Sequence, residues 1–136
     1  MIVVDTNIIG YLFLSSEHSH LAENTLQKDN GWAAPILWRS ELRNVLTSYM
    51  RKDLLKLNQA QRIMEEAQGI LNGREYMVSS DEVLRFASES QCTAYDCEFI
   101  ALAHDLNTLL ITVDKKLLQS FPTVAVPLTS FGQTEE

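Results

Sequence analysis

The chain has 136 residues, 46% hydrophobic and 21% charged, with a formal net charge of -7. That length suits one hydrophobic core and leaves no room for a second domain, while the composition lies far from the low-hydrophobicity signature of disorder. No apolar run approaches the roughly 18 to 20 residues of a membrane-spanning helix and the N-terminus lacks a secretory pattern, so the expectation is a cytoplasmic protein with no membrane partner.

In chain order, Ile2 to Val4 is a β-branched run suited to a buried parallel strand, ended by Asp5-Thr6-Asn7. Residues 7 to 14 read as a short helix. Residues 17 to 28 continue as a second, with Asp29-Asn30-Gly31 as its stop. Trp32 to Ala34 suits another short strand. Pro35 opens a longer helix whose buried stripe is Leu42, Val45, Leu46 and Tyr49, and which ends near Asp53. A helix over 58 to 71 follows, closed by Asn72-Gly73, then a third strand at 76 to 78.

Ser79 and Glu82 have capping-box spacing and open a helix that carries Val83, Leu84 and Ala87. The next helix spans 95 to 106, with Phe99, Ile100, Ala103 and Leu106 facing the core, and Asn107 ends it. Leu109 to Thr112 is a continuous apolar strand followed by Asp114, a short helix over 115 to 121, and a last strand at 124 to 126. Strand and helix alternate throughout. The fold class is therefore α/β, a short parallel sheet flanked by helices, with the carboxyl ends of its strands at one edge. The folded domain is expected over 1 to 128, with 129 to 136 as a flexible tail.

Cys92 and Cys97 are the only cysteines, too few for a disulfide framework or a four-ligand zinc site. The acidic balance argues against a general electrostatic grip on nucleic acid, but charge is unevenly placed. Residues 39 to 62 hold six basic side chains against Glu41 and Asp53, a local +4 that leaves -11 for the rest of a -7 chain. Such a segment suits either a local phosphate track or a solvated helix face.

Four acids stand out by position. Asp5 and Asp114 follow strands that should end at the same sheet edge, Glu41 lies on the boundary of a buried helical stripe, and Asp96 sits on the core side of a helix's first turn. Each has a plain structural explanation: Asp96 and Asp114 suit helix N-termini, Asp5 an Asx turn, Glu41 a surface ion pair. Together they are harder to explain, because two carboxylates ~4 Å apart repel by about 4 kcal/mol at an effective dielectric near 20. They must protonate or hold a cation. Oxygen donors without His or Cys favour Mg²⁺ or Mn²⁺ over Zn²⁺, and such an ion can poise water against a phosphate. His18, His20 and His104 read as solvated or structural.

The stretches VVDTNIIGYL, PILWRSELRNVL around Glu41, AYDCEFIALA around Asp96 and LLITVDKKL around Asp114 resemble PIN-domain ribonucleases. More narrowly they resemble the VapC toxins of toxin–antitoxin pairs, over about residues 1 to 127. The resemblance implies a PIN-like fold and a metal-dependent endoribonuclease whose Asp5, Glu41, Asp96 and Asp114 form the acidic site for Mg²⁺ or Mn²⁺. It further implies supporting roles for Thr6, Asn7 and Thr112, an RNA substrate, a cognate antitoxin and a homodimer. Arg39 and Arg43, or Lys115 and Lys116, are candidates to guide a phosphate.

Two alternatives stand beside the nuclease. A non-catalytic PIN-like module that binds RNA or protein would be expected to lack one of the acids. A phosphorylated receiver domain would need an adjacent acidic pair after the first strand, which this chain does not have.

Overall fold

Strand β1 (Ile2–Val4) runs through the middle of a wholly parallel sheet of five strands, in the order β3-β2-β1-β4-β5. All three of its residues are buried, as a strand covered on both faces requires. The computed structural model describes residues 1–133. Strands β2 (Trp32–Pro35) and β4 (Leu110–Thr112) flank β1 and are likewise buried throughout. The short edges are β3 (Glu75–Tyr76) and β5 (Ala125–Pro127).

Helices α1 (Thr6–Phe13), α2 (Ser19–Lys28), α3 (Leu37–Arg51) and α4 (Leu57–Ile70) occupy the first half of the chain. The second half supplies α5 (Ser80–Ser88), α6 (Ala94–Asp105), α7 (Lys115–Ser120) and α8 (Leu128–Phe131). Helix α6 lies across β1, β2 and β4, which explains why Phe99, Ile100, Ala101, Leu102 and Ala103 are buried in succession rather than along one stripe. Helix α3 buries Trp38, Leu42 and Leu46 at helical spacing, while Val45 and Tyr49 stay half exposed beside α1.

The chain leaves β1 towards β2 and β3 on one side, then returns to β4 and β5 on the other. The reversal leaves a crevice beyond the carboxyl ends of β1 and β4, the place where parallel α/β sheets present functional groups.

Three local expectations need correction. The helix expected from Pro35 begins at Leu37, because Pro35 is the last residue of β2 and pairs with Tyr76. A proline is tolerated at a strand end, where few ladder bonds depend on its missing N–H. The third strand is Glu75–Tyr76 rather than 76 to 78, since Met77 already turns out to solvent at 90% exposure.

The third concerns the tail expected from Thr129, whose first residues form α8 and its closing turn. Leu128 is fully buried, Lys28 Nζ donates to the Phe131 carbonyl at 2.7 Å and Asn24 Nδ2 donates to the Gly132 carbonyl at 3.1 Å. A Cβ at residue 132 would stand 2.7 Å from the Leu21 carbonyl oxygen, so this docking requires glycine. Residues 134 to 136 of that tail lie outside the described residues.

Candidate active site

The ends of β1 and β4 are tied together at the crevice. Asp5 N donates to the Ile111 carbonyl at 3.1 Å, extending the ladder one residue beyond β1. Asp5 then N-caps α1, its Oδ1 accepting from Thr6 N at 2.8 Å, while Oδ2 accepts from Thr112 Oγ1 at 2.8 Å. Thr112 also accepts from Asp114 N at 3.0 Å, and Asp114 Oδ1 caps α7 by accepting from Leu117 N at 3.1 Å. Both aspartates are thus helix caps and occupants of the crevice at once. Capping uses one lone pair of a carboxylate that has about four acceptor sites, so it leaves them capacity for a ligand.

Glu41 arrives from the second turn of α3, where Thr6 Oγ1 donates to its Oε1 at 2.7 Å. Asp96 stands in the first turn of α6, where the N-cap Thr93 accepts from its backbone N–H at 3.1 Å. Thr6 and Thr112 therefore fix two of the acids through direct hydrogen bonds. Asn7 is exposed and lines a small cavity beside Thr6.

The acids act on one another electrostatically. Burial is the main cause that pushes the Asp5 carboxyl up from 3.8 to about 6, with the charges of Glu41 and Asp96 adding to it and the bonds from Thr112 and Thr6 opposing it. Glu41 is raised by burial and then by Asp96, and Asp96 by burial and then by Asp114, with Thr93 and Lys116 pulling Asp96 the other way. This mutual upward pressure is that of several carboxylates crowded into a poorly hydrated crevice.

Such a set fits a hard divalent ion by the chemistry of its donors, all of them oxygens. Among the described residues no three His, Cys, Asp or Glu side chains are arranged to enclose a metal directly. Mg²⁺ does not require that, since it commonly keeps several waters and binds through one or two carboxylates.

The basic candidates divide. Arg39 is engaged elsewhere: its Nε and one terminal nitrogen both donate to Glu75 at 2.6 Å, and Trp38 Nε1 adds a third donor to the same carboxylate at 2.8 Å. Arg43, Lys115 and Lys116 are exposed, and Lys116 stands near enough to Asp96 to act on its charge.

Two neighbours escaped the sequence reading. Glu98 is raised by burial and then by Glu41, and lies between a cleft of ~350 Å³ beside Arg43 and another of ~310 Å³ beside Val83. Its spacing of two from Asp96 could have drawn attention. The Tyr11 hydroxyl is raised by burial and then by Asp5, and nothing in the apolar pattern of α1 distinguishes Tyr11 from a packing residue.

A parallel α/β domain with carboxylates gathered at the carboxyl ends of β1 and β4 defines the class of protein. The PIN domain family matches residues 2–121, and the chain belongs to that family. Among curated proteins it is 27% identical to Ribonuclease VapC3 of Pyrobaculum aerophilum over 129 residues, 93% of this chain and 98% of that one. Two solved structures share the fold. A Pyrobaculum aerophilum protein, PAE2754, aligns with TM-score 0.75 and 21% identity over 96% of this chain and 85% of its own. A toxin–antitoxin complex from Klebsiella pneumoniae aligns with TM-score 0.71 and 20% identity over 93% of this chain and 97% of the matched one.

Proposed function

We propose that the protein is a metal-dependent endoribonuclease of the VapC toxin type, with Asp5, Glu41, Asp96 and Asp114 as its acidic centre and Mg²⁺ or Mn²⁺ as cofactor. The observation that carries this reading is the Thr112–Asp5 hydrogen bond across the strand ends, together with the Thr6 bond that brings Glu41 to the same crevice. Likeness to Ribonuclease VapC3 supports RNA as the substrate class.

Bound there, a divalent ion would supply a water of lowered pKa and neutralise charge growing on the phosphate. The chain's own contribution is placement. Thr112 and the α1 N-terminus hold Asp5 at a fixed angle, Thr6 restrains Glu41, and the N-cap bond of Asp114 orients its remaining lone pairs. Arg43 and Lys116 are placed to receive the phosphate strand, Arg43 along the cleft beside Glu98 and Lys116 beside Asp96. On a chain of net charge -7 these few cations must steer the substrate, which favours selective over general RNA binding.

The domain runs from residue 1 through the docked α8 turn, and works in the cytoplasm as a homodimer. A cognate antitoxin would silence it, a reading supported by the fold shared with the Klebsiella toxin–antitoxin complex.

A time course with end-labelled single-stranded RNA, in Mn²⁺ or in chelator, tests the activity. The wild-type chain should cut internally only with metal, and Asp5→Asn should slow cutting at least about 100-fold. RNA binding without metal-dependent cutting by the wild type would replace the nuclease with a binding module.

A further inference from the structure

Beside the acids, between α1 and α3, lies a cavity of ~120 Å³ lined by Thr6, Asn7, Leu14, Val45, Tyr11 and Tyr49. It is too small for a helix or a peptide strand. Its position is what distinguishes it: Thr6 belongs both to this cavity and to the hydrogen bond that holds Glu41.

We propose that this cavity receives one nucleobase of the RNA strand adjacent to the scissile phosphate, stacked against the tyrosines and read at its edge by Asn7. The inference rests on the nuclease reading above and names a specificity determinant for it. Unstacked bases are recognised in this way on single-stranded RNA, by aromatic faces for the ring and polar groups for the edge.

Several features select a base over other occupants. Tyr11 is held in place by His18, whose ring lies 4.7 Å away and 32° from parallel, so the platform is ordered before anything binds. Among the described residues neither the Tyr11 nor the Tyr49 hydroxyl hydrogen-bonds to a protein atom, and the Asn7 amide is exposed. Three polar groups thus remain for a ligand.

Binding of short single-stranded RNAs, taken around the cut that the wild-type chain makes in a random-sequence pool, gives the test. It is measured on Asp5→Asn so that the strand stays whole. Replacing each nucleotide in turn by an abasic one should reveal one position next to the cut where affinity falls about tenfold, or about 1.4 kcal/mol. In the same background, Val45→Phe, which fills the cavity, and Tyr49→Ala, which removes a wall, should each bring the ratio of intact to abasic affinity towards one. Circular dichroism checks that both variants are folded.

A strand that binds with no such position, or a ratio that survives both variants, overturns the cavity assignment while leaving the nuclease standing. Failure of the nuclease reading shows separately, as no metal-dependent cutting by the wild type, and removes the cavity's role with it.

Discussion

Thr112 Oγ1 donates to Asp5 Oδ2 at 2.8 Å across 107 residues of sequence, and the same hydroxyl accepts from Asp114 N at 3.0 Å. One β-branched side chain at the end of β4 therefore sets the position of two of the four acids. Replacing it by valine keeps the shape and removes both bonds.

Thr112→Val should lower stability by about 1.5 to 3 kcal/mol at neutral pH, the range for a hydrogen bond to a charged group. Because the hydroxyl favours the ionised form of Asp5, its loss should push that carboxyl above its present value of about 6. Thermal unfolding at several pH values checks this, and the destabilisation should shrink in acid, where Asp5 is protonated.

Asp5→Asn should stabilise the protein while destroying its activity. The sign follows from the upward shift: folded Asp5 titrates at about 6 against 3.8 unfolded, so between those values the native state binds more protons than the unfolded one. Stability from this group is therefore present below pH 3.8 and lost as pH rises through about 6. Raising the carboxyl from 3.8 to about 6 corresponds to roughly 3 kcal/mol. The variant's gain in Tm should be absent in strong acid, grow through that window and level off above it, whereas a constant offset would contradict the assignment.

Mn²⁺ or Mg²⁺ should raise the Tm of the wild type, since a ligand bound only by the folded state stabilises it by mass action. Carboxylates must be deprotonated to coordinate, so the rise should be largest above pH ~7 and fall away below Asp5's titration. Chelator should reverse it. A Tm unmoved by metal at either pH would count against the site.

Arg39 and Arg43 stand on one helix yet should fail differently. Arg39 is bound through two nitrogens to Glu75, which also takes the Trp38 indole, so it fastens β3 to the start of α3. Arg39→Ala should cost roughly 1.5 to 3 kcal/mol of stability. Arg43 is exposed, and Arg43→Ala should change stability by less than ~0.5 kcal/mol while lowering RNA affinity and the slope of its salt dependence by about one phosphate contact. Urea unfolding and salt-titrated RNA binding separate the two effects.

The sheet was legible because its strands advertise themselves. Ile2-Val3-Val4 and Leu110-Ile111-Thr112 are short apolar runs, each followed within two residues by an acid that does not belong in the core. The helix start at Ser80 carried its cap in the sequence, Ser79 accepting from the backbone N–H of Glu82. What stayed hidden depends on distant pairing. The bond of Arg39 to Glu75 spans 36 residues, so helical spacing alone left Arg39 among the phosphate guides. The docking of Gly132 depends on the backbone of Leu21, a close approach with no local signature. Glu98 likewise is raised by burial and then by Glu41, a residue far from it in sequence.

The central claim is that these four carboxylates jointly hold a divalent ion. Calorimetric titration of the purified chain with Mn²⁺ at about pH 7.5, where Asp5 is ionised, tests it most directly. The wild type should give one saturable isotherm, weakened at least about tenfold by Asp96→Asn and by Glu41→Gln. Heat no greater than dilution, or an isotherm that both substitutions leave unchanged, would contradict it.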